Sequence, residues 1–137
     1  GYTVARVYQH MLFPDYGQPS PVVSTAYRIK EYARRAKERI LQHAEEIYTA
    51  ARSIDGEATT LLDRAYRKLR NVKRKRLSTA WGQASATAID ISDTPMQESY
   101  VLGTLIHEAL HDCFFHGDGR YYTEEEEHQV MYVLGEI

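Results

Sequence analysis

The chain has 137 residues, 43% of them apolar and 26% charged, which fits one domain with its own core and excludes disorder as the dominant state. A single cysteine, Cys113, excludes an intramolecular disulfide framework and a cysteine-built zinc ribbon, and no apolar run approaches the roughly 18 residues that a membrane span needs. The net charge of −2 hides a division: residues 26–76 hold 15 Lys/Arg against 7 Asp/Glu, and residues 77–137 hold Arg120 against 11 acids, so two surfaces with different tasks, or two halves that attract each other, are expected.

Residues 1–21 are punctuated by Pro14, Gly17, Pro19 and Pro21 and read as an irregular arm, with one short strand near Thr3–Tyr8. From Ser24, a plausible N-cap, to Ser53 the residues Ile29, Ala33, Ala36, Ile40, Ala44, Ile47 and Ala51 recur at gaps of four and three, which predicts one long helix stopped at Asp55-Gly56. A shorter helix is expected from Thr60 to about Asn71. The run Lys73-Arg74-Lys75-Arg76 then reads as a solvated turn before a strand. Alternatively, the basic segment Arg64–Arg76 meets phosphates, a nucleic acid or an acidic partner.

In Ser85–Ser92, Thr87, Ile89 and Ile91 alternate with Ala88 and Asp90, the pattern of a half-exposed strand. A strongly apolar helix follows from about Gln97 to Phe115 and stops at Gly117-Asp118-Gly119. The last helix, Thr123–Gly135, opens with a capping-box pattern, Thr123 with Glu126, and with four glutamates at the positive end of the helix dipole. The elements together make an α+β chain: an arm over 1–21, a basic helical region over 22–76 and the chemistry-bearing core over 77–137.

Residues 107–111 read His-Glu-Ala-Leu-His. Histidines at i and i+4 share one helix face, so both imidazoles can hold one zinc ion, and Glu108 beside them can act as general base on water without taking a coordination position. A catalytic zinc site needs a third protein ligand and an open position. On a helical wheel the apolar face of the last helix centres near Val130; Glu126 and Glu127 fall within about 50° of that centre, Glu124 lies to the side, and Glu125 and His128 fall opposite. Glu127 is therefore the expected ligand. Glu126 comes next, because the capping box competes for it. His116 stands past the helix end and cannot join the same face without a bend. With Tyr121, Tyr122 and His128 it is a candidate for stabilising the transition state. The strand Ser85–Ser92 offers an edge to which a peptide substrate can add. Cys113 reads as a small core residue rather than a nucleophile.

The segments Trp81-Gly82-Gln83-Ala84, Ala88-Ile89-Asp90-Ile91-Ser92 and Thr104 to His111 resemble the core of small zincin metallopeptidases, in particular SprT-like and ImmA-like domains and the short stand-alone versions of phages and prokaryotes. The resemblance spans residues 80–137, and His-Glu-x-x-His is its specific motif. It implies a minimal zincin-like fold with a small sheet beside the motif helix, one zinc ion at His107 and His111, and Glu108 as base. The acidic last helix is more like the glutamate-ligand zincins than the SprT-like pattern, which takes a third histidine. The function expected is zinc-dependent peptide hydrolysis, in the cytoplasm, or on the virion if phage-encoded. The alternatives are an inactive zincin-fold structural protein, such as a virion component, and a nucleic-acid-associated protein using Arg64–Arg76.

Overall fold

The structure is a computed structural model and describes residues 12–13, 19–24 and 28–136; the strand expected at Thr3–Tyr8 lies outside them. Helices α1 (Ile29–Gln42), α2 (Ala44–Arg52), α3 (Leu62–Leu69), α4 (Glu98–Leu110) and α5 (Glu124–Val133) pack with short strands β1 (Val22–Val23), β2 (Thr59–Thr60), β3 (Val72–Lys75), β4 (Gly82–Ala84), β5 (Ile89–Ser92), β6 (Met96–Gln97) and β7 (Phe114–Phe115) in an α+β arrangement. No helix is long and apolar enough to cross a membrane among the described residues.

Helix α4 is the centre of the molecule. Val101, Leu102, Leu105, Ile106, Ala109 and Leu110 are all buried, because α1 and α3 cover it on one side and β4 and β5 on the other. Burial of one such Leu, Ile or Val side chain stabilises by about 1.5–3 kcal/mol, which outweighs the modest helix propensity of a segment holding Gly103 and Thr104. Leu12 and Phe13 of the arm are buried in the same core.

The single long helix expected over 24–53 is two helices, divided at His43, whose backbone (φ −117, ψ 25) leaves the helical region. The period continues through the break, so propensity does not place it. Packing does: α1 lies against α4, whereas α2 turns to meet β2 and α5. Helix α1 starts at Ile29 after Arg28, which stands in the left-handed region (φ 58), and not at a cap on Ser24.

The sheet order is β3-β5-β4, with β3 parallel and β4 antiparallel to β5. Two expectations change here. Lys73, Arg74 and Lys75 are an exposed edge strand, not a turn, with Lys73 opposite Asp90; charged side chains suit an edge that must not pair with other chains. The strand read at Ser85–Ser92 is shorter, and it is the central strand, so both its edges are occupied. The free edge on the α4 side belongs to β4. Because β3 joins this sheet and β2 pairs with β7, segments 22–76 and 77–137 interleave.

Two loops and the start of α5 are tied by one imidazole. His116 donates through Nδ1 to Asp55 Oδ2 (2.8 Å) and meets Glu126 through Nε2 (2.9 Å). Glu126 also completes the capping box with Thr123, as expected from sequence. The N–H groups of Glu57 and Gly117, then His116, hold the Asp55 carboxyl down at about 2. The Thr123 N–H and His116 lower Glu126, while the bonds to Asp55 and Glu126 raise His116. A raised histidine contributes stability below its unfolded value of 6.5 and loses it as pH rises through the folded value; the lowered acids lose theirs only as pH falls from the carboxylate range toward about 2. Wild type should therefore lose more thermal stability between pH 6 and pH 9 than His116→Gln, as followed by circular dichroism. Equal losses would remove His116 from this role.

Candidate metal centre

The end of α4 is shaped by donors from α3. Lys68 is completely buried, and its Nζ donates to the carbonyls of Glu108 (2.9 Å) and His111 (2.6 Å). Arg64 reaches the carbonyl of Asp112 (3.2 Å), and the Leu61 N–H that of Cys113 (2.8 Å). A helix leaves its last carbonyls without partners; Lys68 supplies a donor at this end, and Arg64 and Leu61 do so for the two residues beyond His111. The chain then turns sharply: His111 closes the helix in an extended conformation (ψ 144), and Asp112 takes a positive φ of 63. The stop thus comes well before Gly117, where the sequence placed it. Arg64 and Lys68, read as part of the basic segment Arg64–Arg76 that meets phosphates, a nucleic acid or an acidic partner, bond instead to backbone carbonyls. Burial lowers the Lys68 pKa, with the nearby Cys113 and acids opposing.

His107 and His111 project from α4 into a cleft of about 460 Å³, bordered also by Glu108, His128 and the strand residues Gly82–Ala84. Their Nε2 atoms lie 3.0 Å apart. Each Nδ1 faces outward to a carboxylate: Glu136 Oε1 for His107 (2.5 Å) and Glu127 Oε1 for His111 (2.8 Å). An ionised carboxylate only accepts, so each Nδ1 carries the proton and each Nε2 presents a lone pair to the cleft. Two lone pairs facing each other at this distance need a cation or a proton between them. Burial opposes a proton on His111, but Glu127 outweighs it and the net direction is up.

The ring of His128 completes the group, 5.1 Å from His107 and 5.2 Å from His111 between centroids. One ligand atom of each of the three histidines falls within 4.8 Å of the others, which makes them the group among the described residues that could hold a metal ion. The donor set fits: two nitrogens bound at 2.0–2.1 Å to a tetrahedral ion are roughly 3.3 Å apart, close to the separation of His107 and His111. The outward carboxylates are the partners that metal-binding imidazoles ordinarily have.

Glu127, the expected third ligand, is placed differently. It is buried, as the wheel required, but its Oε1 holds His111 and its Oε2 accepts the Asp112 N–H (2.6 Å). Glu127 lines the cleft, but the group among the described residues that could hold a metal ion is the three imidazoles, with His128 as the third. The wheel ranks residues toward the core, whereas His128 faces an open cavity and keeps 44% side-chain exposure. Glu126 is engaged by His116 and Thr123.

Of the candidates for transition-state stabilisation, Tyr122 and His128 line the cleft, and His116 and Tyr121 do not. His116 belongs to the Asp55–Glu126 cluster. Tyr121 is exposed and accepts from Arg64. Tyr122 borders the cleft, but its hydroxyl donates to the Ala51 carbonyl (2.7 Å). Cys113 is buried, and desolvation pushes its thiol up to about 12, in keeping with a core residue.

Strand β4 lies close against α4: a Cβ on Gly82 would stand 2.6 Å from Thr104 Cγ2 and 3.2 Å from Glu108 Cγ. The Ser92 N–H bonds to the Trp81 carbonyl and the Ser85 N–H to that of Ala88, so Trp81, Gln83 and Ser85 turn their backbone groups to β5. Those of Gly82 and Ala84 turn to the cleft side, where no described strand pairs with β4. Comparisons with protein-family models, curated proteins and solved structures found no match to this chain.

Two outcomes are expected. Lys68→Met should destabilise the protein by about 2–4 kcal/mol in urea unfolding, because two buried carbonyls lose their donor, whereas exposed Lys73→Met should change it by less than about 0.5 kcal/mol. In zinc titrations against a chromophoric chelator, His128→Ala should weaken binding more than the roughly 10–100-fold expected for Glu127→Gln or Glu136→Gln. Retained binding in His128→Ala, with loss in Glu127→Ala, would return the third place to Glu127.

Proposed function

We propose that this protein is a zinc-dependent peptidase of the small zincin kind. The observation that carries the reading is the convergence of His107, His111 and His128 in one cleft, with Glu108 beside them and an open strand edge above. A third histidine brings the site closer to the SprT-like pattern than to the glutamate-ligand zincins. Zinc held by the three imidazoles would supply Lewis acidity toward the scissile carbonyl and lower the pKa of water.

The chain's own residues supply the rest. The Gly82 and Ala84 backbone groups hold an extended substrate by main-chain hydrogen bonds, in the manner of an added strand. Glu108 is largely buried, and desolvation raises its carboxyl above the ordinary range, against the pull of His107, His111 and Lys68. A carboxylate so placed accepts a proton from the attacking water and passes it to the leaving amine nitrogen as the carbon–nitrogen bond breaks. Glu127 and Glu136 keep the two imidazoles in the tautomer that offers Nε2. The exposed bases Arg67, Arg70 and Lys73–Arg76 mark the surface where an acidic partner or nucleic acid would be held, around the sheet edge opposite β4 and clear of the cleft.

Glu108→Gln should bind zinc as wild type does and lose at least about 100-fold in hydrolysis of an unfolded protein substrate, the usual scale of general base catalysis. Cleavage by that variant at the wild-type rate would dismiss Glu108 as the base. Absence of hydrolysis by the zinc-loaded wild type across unfolded substrates would dismiss the peptidase reading.

A further inference from the structure

Two aromatic side chains stay exposed beside the cleft although neither is needed there by the core: Trp81 at 50% and Tyr132 at 58%. Each borders a side lobe. One lobe, of about 310 Å³, lies between Tyr132, His128, His107 and Glu136; the other, of about 170 Å³, lies between Trp81, Gly82, Thr104 and the same His107 and Glu136. The two lobes are separate but share His107 and Glu136, so the two aromatics flank the same imidazole, Trp81 on the side where β4 begins. Glu136 is engaged by His107, and Glu108 also lines the Trp81 lobe, so each lobe sets aromatic surface beside a carboxylate. Asp112 and exposed Glu124 line the main cleft and neither side lobe.

We infer that the Trp81–Tyr132 surface beside His107 is a specificity pocket for an aromatic or large apolar side chain of an extended polypeptide. The inference rests on the peptidase reading of the cleft and names the substrate class for it. The pocket adjoins His107, so the side chain it takes belongs to a residue next to the cleaved bond. A chain added antiparallel to β4 runs from the Ala84 end toward the Trp81 end, and the pocketed residue then follows that bond. Burying an aromatic ring against an aromatic wall removes apolar surface from water on both partners, which an alanine side chain cannot match.

Trp81 is the chain's sole tryptophan, so its emission reports the pocket directly. Zinc-loaded Glu108→Gln protein is titrated with two fluorescently labelled extended peptides that differ only in Phe or Ala at one central position. Trp81 emission and peptide anisotropy are both read. The Phe peptide should bind saturably with a shift of Trp81 emission to shorter wavelength, and the Ala peptide about tenfold more weakly or worse. Tyr132→Ala should abolish that preference with bound zinc unchanged. Equal binding of the two peptides, saturable binding that leaves Trp81 emission unmoved, or an unaltered preference in Tyr132→Ala would each overturn the pocket. Product sequencing with wild type separates the two ideas: hydrolysis indifferent to aromatic residues sinks the pocket and spares the peptidase. A Phe preference in binding without hydrolysis does the reverse, and absence of both binding and hydrolysis overturns both.

Discussion

The buried ammonium of Lys68 is the constraint on which the rest of the site depends. An unpaired charge in a protein interior is costly, and here it is set against the carbonyls that α4 leaves open at its end. The bond to His111 reaches the residue at which the helix stops, so the direction of one imidazole and the course of the following chain are fixed by the same contact. Arg64 and Leu61 extend the arrangement over Asp112 and Cys113. Helix α3 thus works as a clamp: one side packs on α4 through Ala65 and Leu69, and its polar groups reach around the end.

A second arrangement meets the first from the opposite side. Glu127 spans the outer nitrogen of His111 and the amide of Asp112, so the turn held by α3 through its carbonyls is held by α5 through an N–H. The histidines are oriented from behind by carboxylates and leave their inner nitrogens facing one another. Pre-orientation of this kind removes conformational freedom before any ligand arrives, which is what a tight metal site requires. Gly82 allows β4 to come close enough that the strand edge and Glu108 border the same space.

The parts of this arrangement visible in the sequence are those set by local periodicity. His107, Glu108 and His111 follow from spacing on one helix, and the capping box at Thr123 and Glu126 from a four-residue pattern. The burial of Glu127 followed from the wheel, but its role did not, because a wheel knows the core direction and nothing of what a carboxylate meets there. His128 was ranked last by the same device, since a residue facing a cavity looks like one facing solvent. The capping role of Lys68 had no local signal at all: its partners are 40 and 43 residues away, and the nearby bases Arg67 and Arg70 are exposed. The break at His43 and the central place of β5 likewise come from packing partners distant in sequence, which override a pattern that is locally uniform.

The order of parts along the chain carries a further consequence. The two imidazoles at the end of α4 emerge during synthesis before α5 and the Glu136 that follows it, which bring the third imidazole and both bracing carboxylates. Until α5 and Glu136 are in place, that pair has neither its fixed tautomer nor its companion. An ion held by all three imidazoles would fasten α5 to α4, and its uptake would then be coupled to completion of the fold.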